Sequence, residues 1–143
     1  MLLLAFLSAF VGTAVMTLSS TTEMILEGRE ESTTPGKAAL KLLKVFGVEN
    51  VSDKTFALLS LYTHWIYGTA WGIFLYAFFY MNFPPVLLWL PYWIVVWCTE
   101  QVLLPAMGVA EASWAYGKKA LITDIFHHLV YAIAATICWF IVI

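Results

Sequence analysis

Residues 120–143 read ALITDIFHHLVYAIAATICWFIVI, and this almost uncharged stretch decides the fold. A helix needs ~20 apolar residues to cross ~30 Å of hydrocarbon, and the stretch is long enough to do so. Three further stretches have the same character, at about 1–26, 56–80 and 86–104. Backbone amides in lipid must be satisfied within the element, and no stretch shows the period-two alternation of a membrane barrel. The sequence therefore predicts an all-α, polytopic membrane protein, with one bundle of four transmembrane helices over residues 1–143.

The positive charges predict the orientation of this bundle. Each lysine and arginine lies in the loop after the first helix or in the loop after the third, and the turn at 82–85 has no charged side chain. By the positive-inside rule, we expect a multi-pass protein with both charged loops in the cytoplasm and both termini outside. The sequence has no dense block of lysines and arginines, so no nucleic-acid partner is expected. The expected partner is the lipid bilayer. The cations are Arg29, Lys37, Lys41, Lys44, Lys54, Lys118 and Lys119.

The first charged loop is predicted to contain a short helix of its own, at about 35–46. Thr34 is expected to cap it, Pro35 to begin it and Gly47 to end it. Its lysines fall on one face and its aliphatic side chains on the other, which is typical of an interfacial helix. We expect it to cover the inner end of the bundle, and the alternative is a role in docking a partner or anionic lipid.

The two halves of the chain share short motifs in the same order. Thr22-Glu23 ends the first predicted helix and Thr99-Glu100 ends the third, while His64-x-x-Tyr67 lies in the second and His128-x-x-Tyr131 in the fourth. Both halves begin outside, so the pattern predicts two parallel, pseudo-repeated helix pairs related by an axis along the membrane normal.

The repeat predicts a cluster of four ionisable residues, Glu23, His64, Glu100 and His128. Side chains on a helix lean toward its N-terminus, so the two glutamates and the two histidines are expected to point at each other. Ionisable groups within lipid cost ~2.5 to 3.5 kcal/mol each, and several together normally serve a function. We therefore predict a site in the cytoplasmic half for a proton, a transition metal or a small ligand. The alternative is that the glutamates reach the interface or pair with lysines of the second charged loop.

Other residues are expected to support this cluster. Tyr67 and Tyr131 follow the two histidines by three positions, and Asp124 precedes His128 by four, where its carboxylate can hold the imidazole tautomer. The adjacent His127 is expected to point elsewhere, toward the interface.

Small residues predict where helices approach closely. Ser8, Gly12, Ser19 and Glu23 share one stripe of the first helix. On the second helix His64, Gly68 and Gly72 share another, and a Gly-x-x-x-Gly spacing allows close backbone approach. We therefore assign Gly12, Gly68 and Gly72 to helix packing.

Several of these motifs resemble a known family. The segment Gly12–Thr17, the motif His64-x-x-Tyr67-Gly68 with Gly72, Pro105-x-x-Gly108 and the segment His128–Tyr131 are similar to the pattern of small bacterial inner-membrane proteins related to YagU. The resemblance covers most of the chain and implies a four-helix protein of the inner (cytoplasmic) membrane. It directs attention to His64 and His128, and it implies no particular activity.

Three classes of function follow from the residues. The first is the proton, metal or small-ligand site of the cluster. The second is a bis-His haem protein with His64 and His128 as axial ligands. The third is a structural or accessory subunit of a larger membrane complex or a homodimer, for which the many aromatic side chains offer a contact surface. An enzyme is the least supported class, because no nucleophile and base pair is visible.

Overall fold

The computed structural model describes residues 1–30 and 32–143, and within them every regular element is helical. The helices are α1 (Leu2–Glu27), α2 (Thr34–Lys44), α3 (Asp53–Ala70), α4 (Gly72–Tyr80), α5 (Trp89–Ala106) and α6 (Lys118–Val142), with short 3₁₀ turns at Pro85–Leu87 and Ser113–Tyr116. The all-α prediction is confirmed. Among the described residues, three helices are long and apolar enough to cross a membrane, over Leu2–Glu27, Pro85–Ala106 and Lys118–Val142.

The predicted second apolar helix is broken into α3 and α4. Ser52 caps α3 by accepting a hydrogen bond from the amide of Thr55, so the helix begins before the predicted position 56. At Trp71 the regular helix stops, and the amide of Phe74 donates to the carbonyl of Trp71 at 2.9 Å in a tighter 3₁₀ turn. Gly72 begins α4 at this break, and glycine has a weak helix preference that makes such a break cheap.

The helices α1 and α6 form an antiparallel central pair. A Cβ atom added to Gly12 would lie 2.8 Å from the carbonyl oxygen of Tyr131 and 2.9 Å from the Cβ of Ala135. Further along the pair, Ser19 meets His127. As the contacts advance along α1 they retreat along α6, which establishes the antiparallel arrangement, and Gly12 lets the two helix backbones come close.

The α3–α4 segment packs along another side of α1. Thr17 of α1 bonds His64, and nearer the start of α1 a Cβ atom on Gly72 would lie 2.6 Å from the carbonyl oxygen of Ala5. Gly68 likewise contacts the side chain of Thr13. The predicted glycine face of the second apolar segment therefore lies against α1.

The apolar core fills the end of the bundle near the α4–α5 turn. Its largest fully buried side chains include Trp139, Tyr92, Leu75 and Leu88, and they come from α4, α5 and α6 and the turn before α5. The ionisable side chains of α5 and α6 lie toward the opposite end, where α2 packs on α3. Packing and polar functions thus occupy different ends of the bundle.

Helix α2 agrees in place with the predicted loop helix and differs in its ends. Thr33 occupies the cap position, without a side-chain cap bond, and the helix ends at Lys44. Gly36 is buried against the ring of Phe56, which an added Cβ would approach to 2.8 Å. The glycine allows α2 to lie directly on the first turns of α3.

Candidate functional site

Two carboxylates flank the buried imidazole of His128. Its Nδ1 lies 2.8 Å from the main-chain carbonyl oxygen of Asp124 and 3.2 Å from the carboxylate of the same residue. Its Nε2 is in hydrogen-bond contact with the carboxylate of Glu100 on α5. A carbonyl oxygen only accepts, so Nδ1 carries a proton and donates it to Asp124. The side chain of His128 is 6% exposed, which leaves almost no access for water to compete with these bonds.

The carboxylate of Asp124 is itself held by two donors from α5. The indole Nε1 of Trp97 donates to it at 2.8 Å and the amide Nε2 of Gln101 at 2.9 Å. Gln101 in turn accepts two bonds at its Oε1, from the amide nitrogen and the hydroxyl of Ser113 at 2.7 and 2.9 Å. Asp124 is therefore fixed from several sides, and so is the ring orientation of His128.

A cavity of about 150 Å³ lies beside this pair, between α3 and α5. Its walls are mainly apolar, and its polar lining includes His64, Tyr67, Glu100, His128 and Tyr131. The first residues of α2, Thr34 and Pro35, line it as well. The structure therefore brings both predicted histidines, one of the two predicted glutamates and both tyrosines around one space.

The hydrogen bonds around His64 show which ring nitrogen carries a proton. The hydroxyl of Thr17 donates to the carbonyl oxygen of Thr13 at 2.7 Å, and a hydroxyl has a single proton to give. The Nε2 of His64 lies 2.9 Å from the same hydroxyl oxygen, so Nε2 must be the donor in that bond. His64 is thereby anchored to α1 at the wall of the cavity.

A pair of tyrosines closes the cavity toward the apolar core. The hydroxyl of Tyr131 donates to the carbonyl oxygen of Gly68 at 2.7 Å and lies 2.7 Å from the hydroxyl of Tyr92. Because the proton of Tyr131 is used on Gly68, Tyr92 is the donor between the two hydroxyls. Gly68 is in the last turn of α3, where carbonyl groups lack partners within the helix, so Tyr131 satisfies one of them.

The structure does not bring Glu23 into this cavity. Its carboxylate pairs with Arg29 and lies 3.9 Å from the Nε2 of His127, in a groove between α1 and α6. The α1 residues that line the cavity are Thr13 and Met16, and Glu23 lies seven or more positions further along α1, about 10 Å beyond them. The predicted stripe of Ser8, Gly12, Ser19 and Glu23 is a face of α1 that meets α6 rather than the cavity.

His127 was expected at the interface, and the structure buries it instead. It is 6% exposed, and its Nδ1 lies 2.9 Å from the hydroxyl of Ser19. The sequence did indicate that Ser19, the partner of His127, is buried. Ser19 lies on the same stripe of α1 as Gly12, and a glycine on a helix face favours close packing against another helix.

The cluster offers three ligand atoms for a metal ion and little room for a haem. Ligand atoms of Glu100, Asp124 and His128 lie within 4.8 Å of one another, which is close enough for a metal ion. The two carboxylates, however, contact opposite ring nitrogens, so an ion bound by Nε2 would gain Glu100 but not Asp124. For a bis-His haem the cavity of about 150 Å³ is small, since the pockets that hold drug-sized ligands have volumes of ~300 to 1,000 Å³.

No protein-family model matches the chain, and neither does any curated protein or any solved structure.

Proposed function

We propose that the chain is a four-span integral membrane protein of the cytoplasmic membrane. The span that adds to the three long apolar helices would be α3 and α4 together, second in chain order. Their residues from Asp53 to Tyr80 amount to about 40 Å of helix. This segment packs along α1, itself a helix of spanning length, over about 18 Å from Thr17 to Ala5. The cations of the two charged loops favour a cytoplasmic location for those loops.

Two parallel helix pairs would follow from this topology, because α1 and α5 both run antiparallel to α6. The repeated motifs have unlike surroundings, since His64 bonds a threonine and His128 a glutamate. We therefore propose that the two halves form parallel helix pairs, but that His64 and His128 do not occupy equivalent sites.

An even number of spans places both termini on one side of the membrane, and cytoplasmic charged loops predict that this side is the outside. A reporter enzyme that works only in the periplasm, fused after Ile143, is expected to be active, and the same reporter inserted after Gly47 is expected to be inactive. Activity of the second fusion together with inactivity of the first would overturn the proposed orientation.

We propose further that the function of the bundle is to hold a proton at the His128–Glu100 pair, shielded from solvent, for a molecule that binds in the adjacent cavity. The observation that carries this proposal is the bond from Nδ1 to the carbonyl of Asp124. With Nδ1 committed as a donor, the contact between Nε2 and Glu100 needs one shared proton, on the ring or on the carboxylate. Removal of that proton would leave a lone pair facing a carboxylate in a buried place, which is unfavourable.

The cavity gives this proton a neighbouring space for a partner molecule. Its volume of about 150 Å³ is sufficient for a few water molecules or a small ligand, given ~30 Å³ for each water. Glu100 and His128 line the cavity on one side and His64 lines it on another. A ligand bound there would meet the shared proton directly, so binding and protonation would be linked.

The proton at Nε2 of His128 can be observed directly by magnetic resonance. We expect histidine-¹⁵N-labelled protein in lipid nanodiscs to show an Nε2 proton that exchanges slowly with solvent and is absent from His128→Gln. Glu100→Gln is expected to lose this slowly exchanging proton because it removes the carboxylate. Glu23→Gln, a matched change outside the cavity, is expected to keep it.

Two outcomes would decide against the proton site. An Nε2 proton that exchanges freely in the unmodified protein, or one that is unaffected by Glu100→Gln, would show that Glu100 does not hold it. Displacement of the signal by one equivalent of Zn²⁺ would select the metal site, which the proximity of the three ligand atoms also favours.

A further inference from the structure

A second binding place lies on the outer face of the α1–α6 pair, away from the cavity. It is an open groove of about 730 Å³. Its apolar lining is exposed and bulky, and comprises Val15, Leu18, Leu26, Ile122 and Phe126. From Val15 to Glu27 the groove extends over about 18 Å of helix, which is close to half of the ~30 Å hydrocarbon core. Its length therefore matches one leaflet of a bilayer.

The end of this groove carries charges of both signs. Glu27 pairs with Lys119 at 2.7 Å and with Arg29 at 3.2 Å, and Glu23 pairs with Arg29. All four groups lie at the end of α1 and the beginning of α6, where the charged loops start. An amphiphile with both an anionic and a cationic group would find a partner for each at this end.

A buried nitrogen without a partner belongs to a side chain that lines the same groove. The Nε2 of His127 has no hydrogen-bond partner among the residues that the structure describes, although the side chain is 8% exposed. The nearest carboxylate oxygen, of Glu23, is 3.9 Å away, which is too far for a hydrogen bond. Buried polar groups are normally paired, so an unpaired one at the wall of a groove indicates a ligand.

From these three observations we propose that the groove binds one phospholipid whose headgroup has a phosphate and a primary ammonium. The acyl chain lies along the apolar wall from Phe126 to Val15. The phosphate lies near Arg29 and Lys119, and the ammonium donates to Glu23 and Glu27. His127 accepts the hydroxyl of Ser19 at Nδ1 and donates from Nε2 to an ester or phosphate oxygen of the lipid.

A lipid fits this groove better than a helix of a second copy. Helices in membranes approach each other through small side chains, and the small faces at Gly12, Gly68 and Gly72 already meet other helices of this chain. The groove has bulky, widely exposed side chains instead, such as Leu18 at 69% and Leu26 at 81%. Flexible acyl chains can follow such a surface, whereas a rigid helix cannot approach it closely.

The probe is a set of three lipids that differ in headgroup only. Delipidated protein is mixed with equal amounts of phosphatidylethanolamine, phosphatidylcholine and phosphatidylglycerol, and the retained lipid is counted by native mass spectrometry. We expect one phosphatidylethanolamine per chain, preferred about tenfold over phosphatidylcholine, since only a primary ammonium donates hydrogen bonds to the carboxylates.

Variants connect the preference to the groove. Glu27→Gln is expected to reduce the preference for phosphatidylethanolamine, and His127→Phe to reduce retention of all three lipids. Glu49→Gln, a matched change of an exposed carboxylate outside the groove, is expected to have no effect. Equal retention of the three lipids by the unmodified protein would overturn the proposal, and so would an unchanged preference in Glu27→Gln. A dimer cross-linked through Phe126→Cys would assign the groove to a second copy.

Discussion

Asp124→Ala is expected to lower the free energy of unfolding by ~3 kcal/mol. The substitution leaves the Nε1 of Trp97 and the Nε2 of Gln101 without the acceptor they share, and each unpaired buried donor costs ~1 to 3 kcal/mol. It also removes one of the carboxylates beside His128. The measurement is an unfolding titration with a denaturing detergent, followed by tryptophan fluorescence.

Asp124→Asn is the matched control for this prediction. The amide keeps one acceptor oxygen at the same place, so we expect less than half of the loss seen with alanine. Equal destabilisation by alanine and asparagine would mean that the negative charge matters and the acceptor geometry does not. A loss below ~1 kcal/mol with alanine would contradict the bonds described for Trp97 and Gln101.

Gly72→Leu is expected to be comparably severe, with a loss of ~3 kcal/mol or more. A Cβ at this position would lie 2.6 Å from the carbonyl oxygen of Ala5 and 2.8 Å from the Cα of Phe6. Both neighbours are backbone atoms of α1 and cannot move aside by rotating a bond, so the helices must separate. The unfolding titration measures the loss, and gel filtration in mild detergent shows whether the chain remains monodisperse.

A graded pair of alanine variants tests the cause. Gly68→Ala brings the new methyl group against the side chain of Thr13, which can change its rotamer, whereas Gly72→Ala meets backbone. We therefore expect Gly72→Ala to be the more destabilising of the two. The reverse order would place the tight contact between α1 and the α3–α4 segment at Thr13 instead of Ala5.

Much of the helical fold was predictable because apolar length is a one-dimensional property of the chain. The predicted stretches at 1–26, 86–104 and 120–143 correspond closely to α1, α5 and α6. The break at Trp71 was not predicted, since hydropathy does not distinguish a continuous helix from two helices in line. Gly72 contributed to the packing prediction, but its place at the start of α4 depends on the contact with Ala5.

The site was predictable where it depended on neighbours along one helix. The spacing of Asp124 and His128 indicated their contact correctly, because residues four apart lie on one face. The partner of His128 on α5 was proposed from depth and from the lean of side chains toward the helix N-terminus, and neither specifies rotation about a helix axis. For this reason Glu100 lies beside His128 while Glu23, predicted at a related depth, lies beside His127.

The hydroxyl of Ser113, in the loop before α6, begins a series of polar contacts that ends at Glu100. It passes by hydrogen bonds through the side chains of Gln101 and Asp124, then by the 3.2 Å contact between the Asp124 carboxylate and Nδ1 of His128, and ends with the bond from His128 to Glu100. Coupling between two ends of such a series is reciprocal. If protonation of the His128–Glu100 pair stabilises one arrangement of the loop, that loop arrangement stabilises the protonated pair by the same free energy. A molecule that binds the loop between α5 and α6 and breaks the Ser113–Gln101 bond would therefore act as an effector of a site it never touches.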